Sequence, residues 1–496
     1  MASLKLLLIA ACGFCLVSAD FRSDLKDTGV RSVFPGDSDY AAASKAYNLR
    51  FTFAPAAVVY PTTPEEVSSV VKVAFDNNYK AVPRGGGHSY VANGLGGKNG
   101  SLIVDMGSMK AITIDSSANT AVIETGNRLG DIDLALNAAG RALPHGTCSY
   151  VGIGGHASFG GYGFTSRQWG LALDPIFAVN AVLANGTIVK ATKDSYPEIL
   201  WGLKGAAPSF AISTSIEVNT FAAPSYAIVM NYVWNDMDYK TAGESMFSFQ
   251  NFSLSGPAAP FAGELDIFRG SREGTVNITF AAAWYGDEGS AIPTIQPWLD
   301  VMPTPDSAQL LGDGTYIDTV ALLSGASHPV NTSTQPDTTD TFYAKSLMTP
   351  EGEPMTLEAC TAFMKYLAIE GFASNTDWFT QVELYGGPNS KIREIPNNAT
   401  AFSRRDTLFT FQLYASSFNL QPPYPAEGFT FLDNMATTVT SSMPSDWNYG
   451  AYVNYLDNRL QNWQNLYFAD NYPKLKYLKD QLDPHDVFMF PTSIEE

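Results

Sequence analysis

The 496-residue sequence predicts an α+β fold, and three observations carry that reading. Residues 55 to 125 alternate short strands with helices in the manner of a small α/β unit, and a related pattern returns from 175 to 220. From about 223 to 445, alternating strands recur between helical segments, as in a large antiparallel sheet covered on one side by helices. The tail, 446 to 496, is aromatic and helical. These changes of texture divide the chain into a leader (1–19), a first domain (20–222), a second domain (223–445) and a C-terminal segment (446–496) that returns to the first domain.

Each element has a local reason. "AAVVYP" reads as a strand, "TTPEEVSSVVKVAFDNNY" as a helix and "KAVPR" as a second strand. Thr63 and Glu66 have the spacing of a capping box, which specifies the helix start. After "GGGHSY" come the β-rich runs "SLIVDMG", "AITID" and "TAVIETG", then the helix "RLGDIDLALNAAGRAL". "IFAVNAVLANGTIVKA" predicts a hairpin turning at Asn185-Gly186. In the second domain "YAIVMNYVW", "GTVNITFAAAWY", "WFTQVELYG" and "TLFTFQLYA" are the strands.

The chain opens "MASLKLLLIAACGFCLVSAD", an early Lys followed by an apolar run and small residues, which predicts a secretory signal peptide cleaved after Ala19. The run is too short for a membrane span, so the mature protein is expected to be secreted and extracellular, with no membrane partner. Six sequons, at Asn99, Asn185, Asn251, Asn277, Asn331 and Asn398, agree with a glycosylating pathway. Cleavage would remove Cys12 and Cys15 and leave Cys148 and Cys360. An oxidising compartment allows a disulfide between them. A chain of this size buries a large core without one, which leaves Cys148 open to another use.

Composition is that of a globular protein: 45% hydrophobic, 16% charged, 41 glycines. A net charge of −19 excludes nucleic-acid backbone binding, which needs clustered Lys and Arg, and is neutral about an uncharged substrate.

Chemistry concentrates in two glycine-rich stretches, "PRGGGHSY" (83–90) and "HGTCSYVGIGGHASFGGYG" (145–163). Glycine turns expose backbone N–H groups able to cradle phosphate. Gly152, Gly154 and Ala157 satisfy the Gly-x-Gly-x-x-Ala fingerprint, but no clear buried strand precedes them and the glycines run on to Gly163, so a Rossmann site is not expected.

Taken together, "RGGGHSY", "GTCSYVGIGGHASFGGYG", "YVNYLD" and "LDPHDVF" resemble the berberine-bridge-enzyme-like branch of the vanillyl-alcohol-oxidase flavoproteins. Within it the chain is most similar to the fungal gluco-, cello-, chito- and xylo-oligosaccharide oxidases. The resemblance spans essentially the whole mature chain. It implies a PCMH-type FAD-binding domain of two α/β subdomains, a substrate domain between it and the tail, and covalently held FAD. His88 matches the histidine bonded to the flavin 8α-methyl, and Cys148 the cysteine bonded to flavin C6. Imidazole and thiolate are nucleophiles suited to an electron-poor ring. The resemblance further places Arg84, Gly85, Gly86, Gly87, Ser89, Tyr90, Gly152, Gly154, Gly155, Tyr452 and Asn454 around the cofactor. It puts His156 near the pyrimidine and ribityl side, where positive or donor character would stabilise the reduced flavin. Val151, three after the cysteine and also placed at the cofactor, matches a position at which the family's oxidases usually carry Val and some dehydrogenases a larger residue, so the resemblance implies an oxidase.

Oxidation of an anomeric hydroxyl needs a base. The resemblance implies Tyr455 for that role. A phenol titrates at about 10 and needs help at neutral pH. Phe379, Gln381 and Glu383 share one face of a strand by its period of two. The resemblance puts a carboxylate at the last position, here Glu383, against the tyrosine. Gln412 and Tyr414 share a face of the next strand, and with Tyr90, Glu264, Phe379 and Gln381 they are the expected sugar cleft, aromatic faces stacking on pyranose rings and polar groups binding hydroxyls. Asn462, Trp463 and the 482–488 segment are expected to close the tail over the first domain. No metal site is expected.

The implied protein is a monomeric FAD-dependent oxidoreductase that oxidises the reducing-end C1 hydroxyl of an oligosaccharide to a lactone and reduces O₂ to hydrogen peroxide. Rival readings on the same scaffold are an oxidase of secondary metabolites and a sugar dehydrogenase with another acceptor. A rival of a different class is a carbohydrate-binding protein without catalysis, for which His88, Cys148 and Tyr455 together would have no use.

Overall fold

The computed structural model describes residues 19 to 495. The signal peptide expected over 1–19 lies outside the described residues apart from Ala19. The chain begins its first sheet with β1 (Arg31–Val33), β2 (Ala57–Tyr60), β3 (Ala81–Arg84) and β4 (Leu102–Asp105), ordered β1-β2-β4-β3. The pairs β2-β4 and β3-β4 are parallel and β1 is an antiparallel edge. A parallel arrangement needs a crossover, supplied between β2 and β3 by the helix Pro64–Asp76. Thr63 caps it by accepting from Glu66 N at 3.2 Å. Glu66 reaches back one residue further than the capping box predicts, to Thr62 N at 2.6 Å.

Next come β5 (Ile112–Asp115), β6 (Thr120–Glu124), the short β7 (Arg141–Ala142), β8 (Ile176–Leu183), β9 (Ile188–Thr192), β10 (Ala211–Asn219) and the short β11 (Phe221–Ala222). The five longer strands form a second sheet, β5-β6-β10-β8-β9, and β7 pairs with β11. The β8-β9 hairpin turns where expected: Gly186 takes φ 80°, and its N–H donates to Leu183 O. Left-handed backbone there is the conformation glycine adopts without cost.

The remaining strands are β12 (Ile228–Asp238), β13 (Phe261–Arg269), β14 (Thr275–Trp284), β15 (Ser307–Leu311), β16 (Phe342–Pro350), β17 (Asp377–Leu384) and β18 (Thr407–Ser416). They make one seven-stranded sheet, wholly antiparallel, in the order β15-β12-β14-β13-β17-β18-β16. Helices Tyr239–Leu254, Leu357–Tyr366 and Ala426–Thr440 share a core with it that includes Phe249, Phe280, Trp298, Phe363 and Phe409. This is the antiparallel sheet backed by helices that the strand pattern predicts.

Cys360 lies in that core, Cys148 lies in a loop of the first domain, and both thiols are free. The disulfide reading therefore drops out.

The tail docks on the first domain through a buried polar clamp. The Lys479 ammonium is fully buried against Asp483 Oδ2 (2.7 Å), Phe488 O (3.0 Å) and Ser209 O (3.2 Å). Asp483 also accepts from Val487 N and Phe488 N, both at 2.8 Å. A buried charge is tolerable only when satisfied this fully. Ala81 N then donates to Val487 O, fixing the strand that leads into "RGGGHSY". Trp463 packs edge-on to Phe468 and Tyr472 in the first domain's core, and Asn462 starts its helix. No helix among the described residues is long and apolar enough to cross a membrane.

Candidate active site

One face of β13, β17 and β18 is a graded surface, because side chains two apart on each strand stand in register across the ladder. Glu264 faces Glu383, Asp266 faces Gln381 and then Gln412, and Phe268 faces Phe379 and then Tyr414. An acidic row, an amide row and an aromatic row follow one another. Together with the two glycine loops, all of these but Asp266 line a cavity of about 770 Å³, large enough for a bound cofactor and substrate.

The glycine loops interlock. A Cβ on Gly86 would collide with the Gly152 backbone, and a Cβ on Gly152 with Gly86 N. Gly154 is likewise pressed against Thr125 O, and Gly87 takes φ 80°. Gly155 differs: nothing stands within 4 Å of where its Cβ would be, so that space belongs to the cavity. Arg84 contributes its stem to the wall, while its guanidinium is spent on Asp105 Oδ2 (2.5 Å) and Ala43 O (2.6 Å). It braces the loop while lining the cavity. Ser89 lines the wall too and accepts from Asn93 N.

His88 and Cys148 line the same cavity. His88 Nε2 bonds Asp337 Oδ2 at 2.7 Å, and Tyr47 stacks on its ring at 4.2 Å. Burial pushes the Cys148 thiol up from its ordinary range; backbone N–H groups of Tyr150 and Val151 oppose this and the Asp337 charge adds to it. Val151 follows on the wall, its N–H turned back to Cys148 O.

Of the positive or donor character expected of His156, only the donor remains. Its Nε2 accepts from Gly146 N at 2.9 Å, and burial first, then neighbouring His145, pushes its pKa down to about 3. The ring is neutral and can donate only from Nδ1, which faces the Asn454 amide at 3.4 Å. The buried cation nearby is His145, whose two nitrogens face Asp133 Oδ1 and Gly146 O at 2.7 Å each. Burial opposes its protonation, but Asp133 outweighs that and its pKa is raised.

In the "YVNYLD" segment, the Tyr452 hydroxyl accepts from Gly161 N and Tyr162 N, so it shapes the second loop. Asn454 donates to His156 O, leaving Oδ1 buried without a partner. Tyr455 donates to Glu383 Oε1 at 2.6 Å, and Tyr90 stacks parallel to it with centroids 5.9 Å apart. Burial, then the adjacent carboxylate, holds the Tyr455 phenol well above its ordinary value. Burial also raises Glu383 to about 8, against the lowering effect of its bond to Tyr455, and raises Asp266 to about 6. Glu264 is pushed well up by burial and by the Asp266 and Glu383 charges. Gln381 donates to both Glu264 Oε1 and Asp266 Oδ1, Gln412 to Tyr90 Oη. Tyr414 donates to Asp340 Oδ2.

Every residue expected around the cofactor or substrate lines this cavity except Gly154, which sits one layer behind. Among residues not anticipated, Tyr47 and Asp340 line the cavity, and Asp266 and Asp337 hydrogen-bond side chains that do. The strand period from Glu264 points at Asp266. Nothing in the local sequence marks Asp337, which reaches His88 across 249 positions.

The cavity fits FAD on its own evidence: two interlocked glycine loops with open space at Gly155, two nucleophilic side chains on one wall and buried polar atoms awaiting partners. Comparison with known proteins agrees. The FAD binding domain family matches residues 55–192 and the berberine and berberine-like family residues 451–495. The xylooligosaccharide oxidase of Thermothelomyces thermophilus is 34% identical over 483 residues, covering 95% of this chain and 93% of that protein. The xylooligosaccharide oxidase from Myceliophthora thermophila, solved with xylobiose, superposes with a TM-score of 0.89 at 30% identity, covering 96% of this chain and 99% of that one. The glucooligosaccharide oxidase from Acremonium strictum, which carries a 6-S-cysteinyl, 8α-N1-histidyl FAD, superposes with a TM-score of 0.87 at 29% identity over 96% of this chain and 99% of that one.

Proposed function

Because the chain belongs to the berberine-bridge-like family of FAD-dependent carbohydrate oxidases, we propose that it oxidises the reducing-end C1 hydroxyl of an oligosaccharide to the lactone, with O₂ reduced to hydrogen peroxide. The observation that carries this is the Tyr455–Glu383 hydrogen bond, set at the deep end of a surface graded from acids to amides to aromatics. Such a surface suits a pyranose, which offers hydroxyls at its rim and an apolar face for stacking.

FAD, when bound, supplies the hydride acceptor, with His88 and Cys148 as its covalent anchors. The residues of the chain do the rest. Gln381, Gln412 and Glu264 hold sugar hydroxyls, while Phe379 and Tyr414 stack on a ring. Tyr455 takes the C1 hydroxyl proton as its own passes to Glu383, so the phenol never carries a full charge for long in a buried site. A carboxylate raised to about 8 is a stronger base than an ordinary one and suits that task near neutral pH. Val151 leaves space for oxygen beside Cys148. The leader and the sequons support secretion, and the protein is taken to act as a monomer.

Peroxide release under air from cellobiose, chitobiose and xylobiose tests the reading. Turnover of at least one sugar is expected. Silence on all sugars with turnover of an aromatic alcohol would replace this reading with the secondary-metabolite one.

A further inference from the structure

We propose that Asp337 is a positioning residue for attachment of the flavin to His88, holding the imidazole with its proton on Nε2 so that Nδ1 keeps its lone pair for bond formation. This rests on the reading of His88 as an attachment point.

The His88 ring is constrained on two sides. Asp337 Oδ2 takes Nε2 at 2.7 Å, and Tyr47 covers one face at 4.2 Å and 25°. An ionised carboxylate can only accept, so a neutral imidazole in this contact carries its single proton on Nε2. Nδ1 is left without a hydrogen-bond partner on a residue that lines the cavity. Both side chains are largely buried, 9% exposed for His88 and 18% for Asp337, and Asp337 Oδ1 is buried with no partner of its own. The carboxylate thus spends its hydrogen bonding on His88.

It is not needed to dock its own segment. Thr332 Oγ1 is held by Asp131 Oδ2 at 2.8 Å, Tyr150 Oη donates to Gln335 O at 2.8 Å, and Leu49 N donates to Asp340 O at 2.7 Å, so the chain is pinned on both sides of Asp337. A carboxylate with no anchoring duty, buried beside one imidazole, is placed to act on that imidazole.

The chemistry balances. Attachment forms a bond between Nδ1 and the flavin 8α-carbon, and breaks one C–H bond of that methyl group and the imidazole N–H. The two protons and two electrons leave to dioxygen as hydrogen peroxide. While Nδ1 bonds, positive charge grows on the ring; the Asp337 carboxylate stabilises it at close range and receives the Nε2 proton. Partners of this kind are worth roughly ten- to a hundredfold where they orient a histidine that binds through its other nitrogen.

The test uses Cys148→Ala, in which retained flavin reports the His88 bond alone. Protein made without flavin is mixed with FAD, and attachment is followed as fluorescence that survives acid denaturation and as the mass of the peptide containing His88. Cys148→Ala/Asp337→Asn keeps an acceptor for Nε2–H but no charge, and is expected to attach about ten- to a hundredfold more slowly. Asp337→Ala should be slower still, and Asp337→Glu should recover part of the rate. Yellow colour before denaturation and an unchanged unfolding midpoint check folding in each variant. Attachment by the Asn variant at the Cys148→Ala rate overturns the proposal while leaving His88 as the anchor. Complete loss of flavin from Cys148→Ala with Asp337 intact overturns the anchor reading itself, and the proposal with it.

Discussion

The Tyr455 hydroxyl and the Glu383 carboxylate meet at 2.6 Å from segments 72 residues apart, one on a loop of the returning tail and the other on β17 of the large sheet. Glu383 Oε2 is buried and otherwise unpartnered, which leaves it open to the proton that the proposed relay delivers. Tyr455→Phe should lower kcat by about 10²- to 10⁴-fold with flavin fully retained. Glu383→Gln should fall by a similar order. Steady-state kinetics alongside the visible spectrum checks both, and unchanged turnover in the Phe variant removes Tyr455 from the mechanism.

The raised Glu383 sets a pH limb. The relay needs the ionised carboxylate, so turnover should rise with pH up to about 8 and level off above it, falling tenfold per unit well below. The stability consequence has the opposite sign. The folded protein holds a proton that the unfolded chain releases near 4.5, so this contribution is full below that value and is lost as pH rises through about 8. Melting temperature should decline across that window, and less so in Glu383→Gln.

Gly86→Ala should abolish flavin binding rather than merely slow turnover. Its Cβ would land on the Gly152 backbone, which cannot yield as a flexible side chain can. The purified protein should lack the absorption of bound flavin; a yellow, active Ala variant would contradict the interlock.

Gln381 is the amide between two acids, donating to Glu264 and Asp266. Gln381→Ala should raise KM for sugars more than it lowers kcat, since it acts on hydroxyls away from the reacting carbon. Equal losses in kcat and kcat/KM would assign it to the transition state instead.

Denatured, washed protein should remain yellow, and His88→Ala should keep flavin through Cys148 alone. Mass spectrometry of the two loop peptides reads each bond separately.

Much of this was legible in the chain because it depends on short-range pattern. Alternation on two strands puts Glu383, Gln381 and Phe379 on one face of the first, and Gln412 with Tyr414 on one face of the second. The Thr63 cap, the Asn185-Gly186 turn and the two glycine loops are likewise local. The state of His156 was not legible, since its low pKa comes from burial and from a cation, His145, that only packing brings near. Nor were the partners of Arg84 legible, since Asp105 and the Ala43 carbonyl reach its guanidinium only through packing.

The sequence by itself determined which side chains could do chemistry and which strand faces they share, because side-chain direction in a strand follows from the backbone's period of two. Only the tertiary structure decided which strands lie side by side, and so that acids, amides and aromatics form three successive rows. It alone brought Asp337 to His88 and Glu383 to Tyr455, since each contact is made by segments whose separation along the chain carries no information about their distance in space.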